Sequence, residues 1–374
     1  MRIFIVLAVI SIIVAAYTFF WLRRVFTFWG VDAERKSIRL LCIILAVIIS
    51  VIASNFISVP GIIALHVLIA CAVLEGLGWL LKKLPVLKEK NETVKWINRI
   101  CSSSLAGILI AALIIGYGYY NMNHVICTEY HFTTDKPLQK DGYRIALISD
   151  THFGSVQDKH ILQQGIQDIS AQDPDIVILA GDIVEEGTSY EELQEVFQLL
   201  SGISNRYGIY YVYGNHDRQP YTNSRTYTDE QLAQAIADNH IQILKDTFVS
   251  IQDEILLAGR DDGAWGNVRE RPSSEEILGG ADTDKYIIMA DHQPVEIEEN
   301  IAQGVDLQVS GHTHGGQIWP VGLLTELLGQ YNYGNYSEKN NFELVVSSGY
   351  AGWRYPIRTG KHCEFVMITV KNPA

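Results

Sequence analysis

The sequence predicts an all-α membrane region of about four helices over residues 1–120, followed over residues 121–374 by an α/β domain built as a two-sheet αββα sandwich. Three observations carry this reading. Charge divides the chain: residues 1–120 hold 12 Lys and Arg against 5 Asp and Glu, and the remainder holds 17 against 37, so a net +7 is followed by a net −20. The first part contains four long apolar segments. From residue 121 the pattern changes to apolar runs of five or six residues alternating with polar stretches of helical period.

The apolar segments cover residues 3–22, 40–59, 62–81 and 105–120. About 20 apolar residues span a bilayer, and a soluble core helix has little reason to be apolar all round. Pro60-Gly61 is expected to turn the second helix into the third. Arg23, Arg24, Arg35, Lys36 and Arg39 follow the first segment, and Lys82, Lys83, Lys88, Lys90, Lys95 and Arg99 follow the third. The second connection is uncharged, and only Lys136 and Lys140 follow the fourth segment closely. Positive loops stay cytoplasmic, so four spans place the α/β domain on the extracytoplasmic side of a plasma membrane, whereas three would place it inside. The first segment has one leading basic residue and no small-x-small cleavage site, which favours an uncleaved helix over a signal peptide. Arg23-Arg24 reads as part of a basic loop rather than as an export signal. Within the segments the ionisable residues are His66 and Glu75, too few to suggest an ion path. Cys42, Cys71 and Cys101 read as small packing residues. Cys127 and Cys363 fall in terminal strands of the α/β domain; they form a disulfide if those strands are neighbours in an oxidising compartment, or remain buried thiols.

Strands are predicted at residues 125–133, 144–149, 176–180, 209–213, 248–251, 255–259, 286–290, 307–310, 342–347 and 364–370. Helices are predicted at 158–171, 190–202 and 229–239. The early β, α, β, α, β order implies parallel strands covered by helices. The later part is richer in hairpins, with Gln252-Asp253-Glu254 as a turn, and implies a second, mixed sheet. Residues 317–341, rich in Gly, Tyr and Asn, either border a substrate pocket or form an ordinary surface connection.

Five clusters follow apolar runs: Asp150-Thr151-His152, Gly181-Asp182, Gly214-Asn215-His216-Asp217, His292 and Gly311-His312-Thr313-His314. Strand ends are where an α/β sheet gathers ligands. Asp150, His152, Asp182, Asn215, His292, His312 and His314 make a ligand set for two divalent metals. Oxygen and imidazole donors without thiolate suit Mn, Fe, Zn or Ni. Residues two apart share one face of a strand, which would aim Asp150 with His152, and His312 with His314, and Gly311 is expected to let that chain turn.

Taken singly these motifs are weak; as an ordered series over residues 144–316 they resemble the calcineurin-like metallophosphoesterase superfamily. The resemblance implies that Asp150, His152, Asp182 and His314 hold one metal, and that Asp182, Asn215, His292 and His312 hold the other, with Asp182 bridging. Two metals about 3.5–4 Å apart would lower the pKa of a bridging water, whose hydroxide attacks phosphorus in line. The resemblance also makes His216 the non-ligating catalytic histidine that protonates the leaving oxygen. Asp217 orients the loop or that histidine, or is a turn carboxylate. His66, His124, His131, His160, His240 and His362 receive no role, and Arg218, Arg354 and Arg358, able to meet a phosphate, are not assigned to the site.

Ser149-Asp150-Thr151-His152-Phe153-Gly154 and the run from Gly311 to Ile318 are most similar to the membrane- or envelope-associated bacterial phosphoesterases of the YkuE and YaeI type, and less so to protein Ser/Thr phosphatases. The helical region resembles that of transmembrane proteins carrying a metallophosphoesterase domain. The expected function is dinuclear-metal hydrolysis of phosphoesters, phosphodiesters foremost, at the membrane surface. The alternatives are a protein or small-molecule phosphomonoesterase and a non-catalytic membrane sensor. A domain of net −20 repels polyanions, so nucleic acid is a poor partner, and tethering favours a lipid-linked or cell-envelope phosphoester.

Overall fold

The structure, a computed structural model, describes residues 2–55, 57–84, 91–139, 141–263 and 271–373. Lys88, Lys90 and Lys140 of the loop-charge argument lie outside the described residues. The chain divides into two compact units, Met1–Tyr117 and Gly118–Ala374.

The first unit holds α1 (Arg2–Phe28), α2 (Lys36–Ser54), α3 (Val59–Lys83), α4 (Asn91–Ser103) and most of α5 (Leu105–Met122). Four of these, α1, α2, α3 and α5, are long and apolar enough to cross a membrane. Ile43, Ile44, Val47, Ile48 and Val51 of α2 are exposed, as lipid-facing side chains are. Pro60-Gly61 is not the turn between α2 and α3. Both residues sit in the first turn of α3, where Pro lacks only an N–H that has no partner anyway, and the Ser58 side chain accepts the Gly61 N–H at 3.2 Å. Helix α4 was not anticipated. It is too polar to span, and its less exposed face carries Val94, Ile97, Ile100 and Cys101 at helical spacing. Glu75 of α3 pairs with Arg24 of α1, so the acidic residue in the apolar region has a counter-charge.

The second unit has four layers. One sheet runs β1 (Val125–Thr133), β12 (Cys363–Lys371), β2 (Tyr143–Ile148), β3 (Ile176–Ala180), β4 (Ile209–Val212), β5 (Gln242–Ile243), with β2 to β5 parallel. The other runs β10 (Gly334–Ser337), β11 (Glu343–Val346), β9 (Leu307–Ser310), β8 (Tyr286–Ala290), β7 (Ile255–Gly259), β6 (Thr247–Ile251), with β11, β9, β8 and β7 parallel. Period-two alternation builds the layers. Ile145, Leu147, Ile176 and Ile178 meet Leu257, Ile288, Leu307 and Val309 between the sheets. Ala146, Ile148, Val177 and Leu179 face outward beneath α6 (Lys159–Ala171), α7 (Tyr190–Leu200) and α8 (Asp229–Asp238). Leu256, Ile287, Met289 and Leu344 face α9 (Ser274–Leu278) and α10 (Ile297–Ala302). Coverage on both faces is why these strands read as continuous apolar runs.

Strands β1 and β12 are parallel neighbours, yet Cys127 lies opposite Phe365 and Cys363 opposite Val125. The two cysteines are two residues out of register, and both are free. Beside Cys363, Glu364 is buried and accepts from the Ser348 N–H at 2.9 Å and from Thr128. Burial would raise its carboxyl, but His362, Thr128 and the Ser348 N–H hold it below the ordinary 4.5. A depressed carboxyl stabilises fully above its unfolded pKa, and that contribution is lost as pH falls through the folded value. Glu364→Gln is expected to cost about 1–3 kcal/mol at neutral pH. It should also flatten the acid limb of a plot of unfolding midpoint against pH; an unchanged acid limb would exclude Glu364 as its source.

Candidate metal centre

All seven predicted ligands lie just beyond strand ends. Asp150 and His152 follow β2, Asp182 follows β3, Asn215 follows β4, His292 follows β8, and His312 and His314 follow β9. Asp150, His152, Asp182, His312 and His314 have φ of 53°, 40°, 51°, 71° and 50°. The paired residues are therefore aimed by left-handed turns, not by alternation along a strand as expected. Such φ values cost energy for residues with a Cβ and are tolerated where the surroundings over-determine them.

The glycines serve close approach. A Cβ on Gly214 would stand 2.2 Å from Asp182 Oδ1, and one on Gly311 would stand 2.3 Å from Asp150 Oδ2. Gly311 thus makes room for Asp150 instead of supplying the expected turn. Asp217 is the organiser of the loops. Its fully buried carboxylate accepts the N–H groups of Asp182 at 2.9 Å, Gly214 at 2.6 Å, Ile183 at 2.9 Å and Val184 at 3.1 Å. It contacts the backbone around Asp182, which settles the two sequence readings in favour of loop orientation.

Six of the seven predicted ligands fall into two groups, Asp150, His152, His314 and Asp182, His292, His312, each with its donor atoms within 4.8 Å of one another. In the first, His152 Nε2 and His314 Nε2 are 3.3 Å apart, and His314 Nε2 is 3.6 Å from Asp150 Oδ1. In the second, His292 Nε2 is 3.2 Å from Asp182 Oδ2. Asp182 Oδ2 also lies 3.9 Å from His152 Nε2, so this carboxylate stands between the groups. Asn215 Oδ1 is 2.9 Å from His312 Nδ1.

These residues fit metal ions. His292 is fully buried, and its Nδ1 is fixed 2.8 Å from the Ala180 carbonyl, which aims Nε2 into the cluster toward Asp182. Burial lowers His312 to about 4 and His314 to about 3, so both present lone pairs at neutral pH. Burial alone would raise Asp182, but His292, His216 and His152 hold it well below the usual range. Burial would likewise lower His292, and Asp182 reverses this and keeps it protonated. A divalent cation would take the place of that proton, because ligating imidazoles are neutral.

Residues 143–316 match the family model described as calcineurin-like phosphoesterase. A metallophosphoesterase of Campylobacter jejuni is 26% identical over 310 residues, covering 80% of this chain and 78% of its own. YkuE of Bacillus subtilis, named a metallophosphoesterase, is 29% identical over 292 residues, 76% of this chain and 99% of its own. The α/β domain is thus similar to the calcineurin-like metallophosphoesterases. A transmembrane protein with metallophosphoesterase domain from Danio rerio is 27% identical over 281 residues, 72% of this chain and 62% of its own. With membrane-capable helices before its metallophosphoesterase domain, the chain is a membrane protein. The family supports metal-dependent phosphoester hydrolysis, with two divalent ions.

The metallophosphoesterase site opens into a cleft of about 720 Å³ that reaches Asp182, Asn215, His216, His312 and His314. Its walls include Glu185, Glu186, Tyr221, Trp353 and Arg354, which the sequence reading did not assign to the site. None of residues 317–341 lines the cleft, and the stretch is not an ordinary connecting loop either, since it holds strand β10 and a short helix at residues 321–327. His216 Nδ1 is 2.7 Å from Glu186 Oε2, and the rings of Tyr221 and Trp353 flank it at 5.1 and 5.3 Å. Burial would lower His216, but Glu186 and Asp182 push it up to about 9. The acidic pair Glu185-Glu186, three residues beyond Asp182, was the available sequence signal. Arg358, which the sequence reading left outside the site, is fully buried and donates to the carbonyls of Ser348 at 2.7 Å and Ala351 at 3.0 Å. The Ala351 carbonyl also faces His314 Nδ1 at 3.3 Å, so Arg358 lies behind His314. Arg218 is engaged by Asp261 at 2.8 Å.

Glu185 Oε2 lies 3.2 Å from His152 Nδ1, the position of a carboxylate that orients a ligating imidazole. Glu185→Gln is expected to weaken metal binding by about 10–100-fold, read by metal titration of the apoprotein. Unchanged affinity would exclude that role.

Proposed function

We propose that this membrane protein is a dinuclear phosphodiesterase acting at the membrane surface, with its catalytic domain on the extracytoplasmic side of the plasma membrane. The observation that carries the reading is the juxtaposition of two candidate ligand groups around Asp182 with a fifth, non-ligating imidazole, His216, facing the same cleft. Asp150, His152, Asp182 and His314 would hold one cation, and Asp182, Asn215, His292 and His312 the other. When bound, the pair supplies an activated water and neutralises charge on the phosphoryl group.

The chain's own residues do the rest. His216, kept protonated by Glu186, donates from Nε2 to the leaving oxygen. Tyr221 and Trp353 offer apolar walls to an ester substituent beside that imidazole. Glu185 and Glu186 place two carboxylates in the cleft beside Arg354. That balance disfavours a dianionic monoester more than a monoanionic diester, which supports the diester reading. The basic residues around the first and third connections support the extracytoplasmic placement.

The full chain in detergent with Mn is expected to hydrolyse bis-p-nitrophenyl phosphate faster than p-nitrophenyl phosphate, and a chelator should abolish both activities. Preference for the monoester would replace the diesterase reading with a phosphomonoesterase. No turnover with metals bound would point to a sensor.

A further inference from the structure

The exposed leucines in the described part of the second unit all belong to one short element. Helix α11 (Val321–Leu327) and the residue after it present Leu323 at 51%, Leu324 at 52%, Leu327 at 74% and Leu328 at 79% exposure, with Trp319 at 46% just before. Spacings of three and four residues place these leucines side by side as a stripe. The helix is not loosely attached. Gly322 faces inward, where a Cβ would come within 2.7 Å of the Gly315 carbonyl oxygen, one residue past His314.

The same patch contains the end of the last apolar helix. The Trp319 N–H donates to Thr359 Oγ1 at 3.1 Å, and the Gly360 N–H donates to the Gln317 carbonyl at 2.8 Å. On the other side of Thr359 lies Gly118 of α5, where a Cβ would stand 2.8 Å from Thr359 Cγ2. The Arg358 N–H donates to the Gly118 carbonyl at 2.9 Å, and Asn121 Nδ2 donates to the carbonyls of Arg358 and Lys361 at 3.0 Å. Asn121 and Met122 are buried in the domain, so α5 leaves its apolar surroundings within the turn before them. That turn carries Tyr119 and Tyr120, both exposed, as aromatic residues are at a bilayer boundary.

We propose that Trp319 and the leucine stripe of α11 form a second, interfacial membrane contact, seated at the headgroup and acyl boundary of the bilayer that α5 crosses. The hydrogen-bonded continuity from Gly118 through Thr359 to Trp319 selects lipid over a protein partner, because it places the stripe beside the point where the chain emerges from the membrane. A Trp and Leu face of this kind is what lies in a bilayer interface. Through Gly315 and Gly322 the contact also fixes the loop bearing His312 and His314 relative to the lipid surface, independently of whether the site hydrolyses a diester.

The test uses the full chain in vesicles of phosphatidylcholine with a minor share of phosphatidylglycerol. Leu324→Cys and Leu327→Cys each receive an environment-sensitive fluorophore, with Glu275→Cys on the exposed face of α9 as control and the labelled parent as background. Lipids carrying a nitroxide in the upper acyl chain should quench positions 324 and 327 by roughly twofold or more and leave 275 unaffected, at every protein density. Quenching of 324 and 327 by a water-soluble nitroxide but not by the lipid probe would overturn the proposal. Shielding from both probes that appears only at high protein-to-lipid ratio would also overturn it, and would assign the stripe to a second copy of the chain.

Discussion

Asp182→Asn is expected to reduce metal content from two ions per chain to one or none and to lower turnover by roughly 10²–10⁴-fold. Shape is almost unchanged by this substitution, so the effect isolates charge. The Asp182 carboxylate is buried between the two ligand groups, 3.2 Å from His292 and 3.9 Å from His152. Removing one member of a buried charged cluster typically costs about 3–5 kcal/mol, which corresponds to that range of rates. Metal analysis of the purified chain beside its rate with bis-p-nitrophenyl phosphate gives both readouts. Two ions per chain with parental turnover would remove Asp182 from the bridging position.

His216→Ala separates chemistry from metal binding. Its Nδ1 is held by Glu186 and not by a metal group, so metal content should stay at the parental value while turnover falls by about 10²–10⁴-fold. A proton donor matters most when the departing oxygen is basic. The loss should therefore be largest for an aliphatic alcohol leaving group and smaller for p-nitrophenol. Glu186→Gln should reproduce part of that pattern, since it removes the charge that keeps the imidazole protonated. Equal losses for both leaving groups would be incompatible with proton donation by His216.

The strands and their order were largely readable from local pattern. The predicted spans at 125–133, 176–180, 255–259, 286–290 and 307–310 coincide with β1, β3, β7, β8 and β9. Their β-branched and aliphatic runs are buried on both faces, and that composition has few alternatives. The short pieces were not readable. Strand β5 is two residues long, and α9, α10 and α11 span five to seven residues, too few for a period to stand out. The ligand types were legible because Asp, His and Asn at the ends of apolar runs are chemically conspicuous. Their aim was not. Strand alternation suggested how Asp150 and His152 converge, whereas the chain uses positive φ at both, a conformation fixed by neighbours distant in sequence.

Local pattern along the chain suffices to place a region of membrane-capable helices ahead of an α/β metallophosphoesterase domain, and to pick out the side chains that gather at its strand ends. Hydrophobic period, segment length and ligand chemistry are properties of neighbouring residues, so they survive without coordinates. The tertiary structure alone decided that Asp217 gathers four backbone N–H groups, that Glu185 and Glu186 serve His152 and His216, and that Arg358 lies buried behind His314. It alone exposed the leucines of α11 beside the end of α5. Each of these depends on a distance between residues far apart in the chain, and neither composition nor spacing contains that quantity.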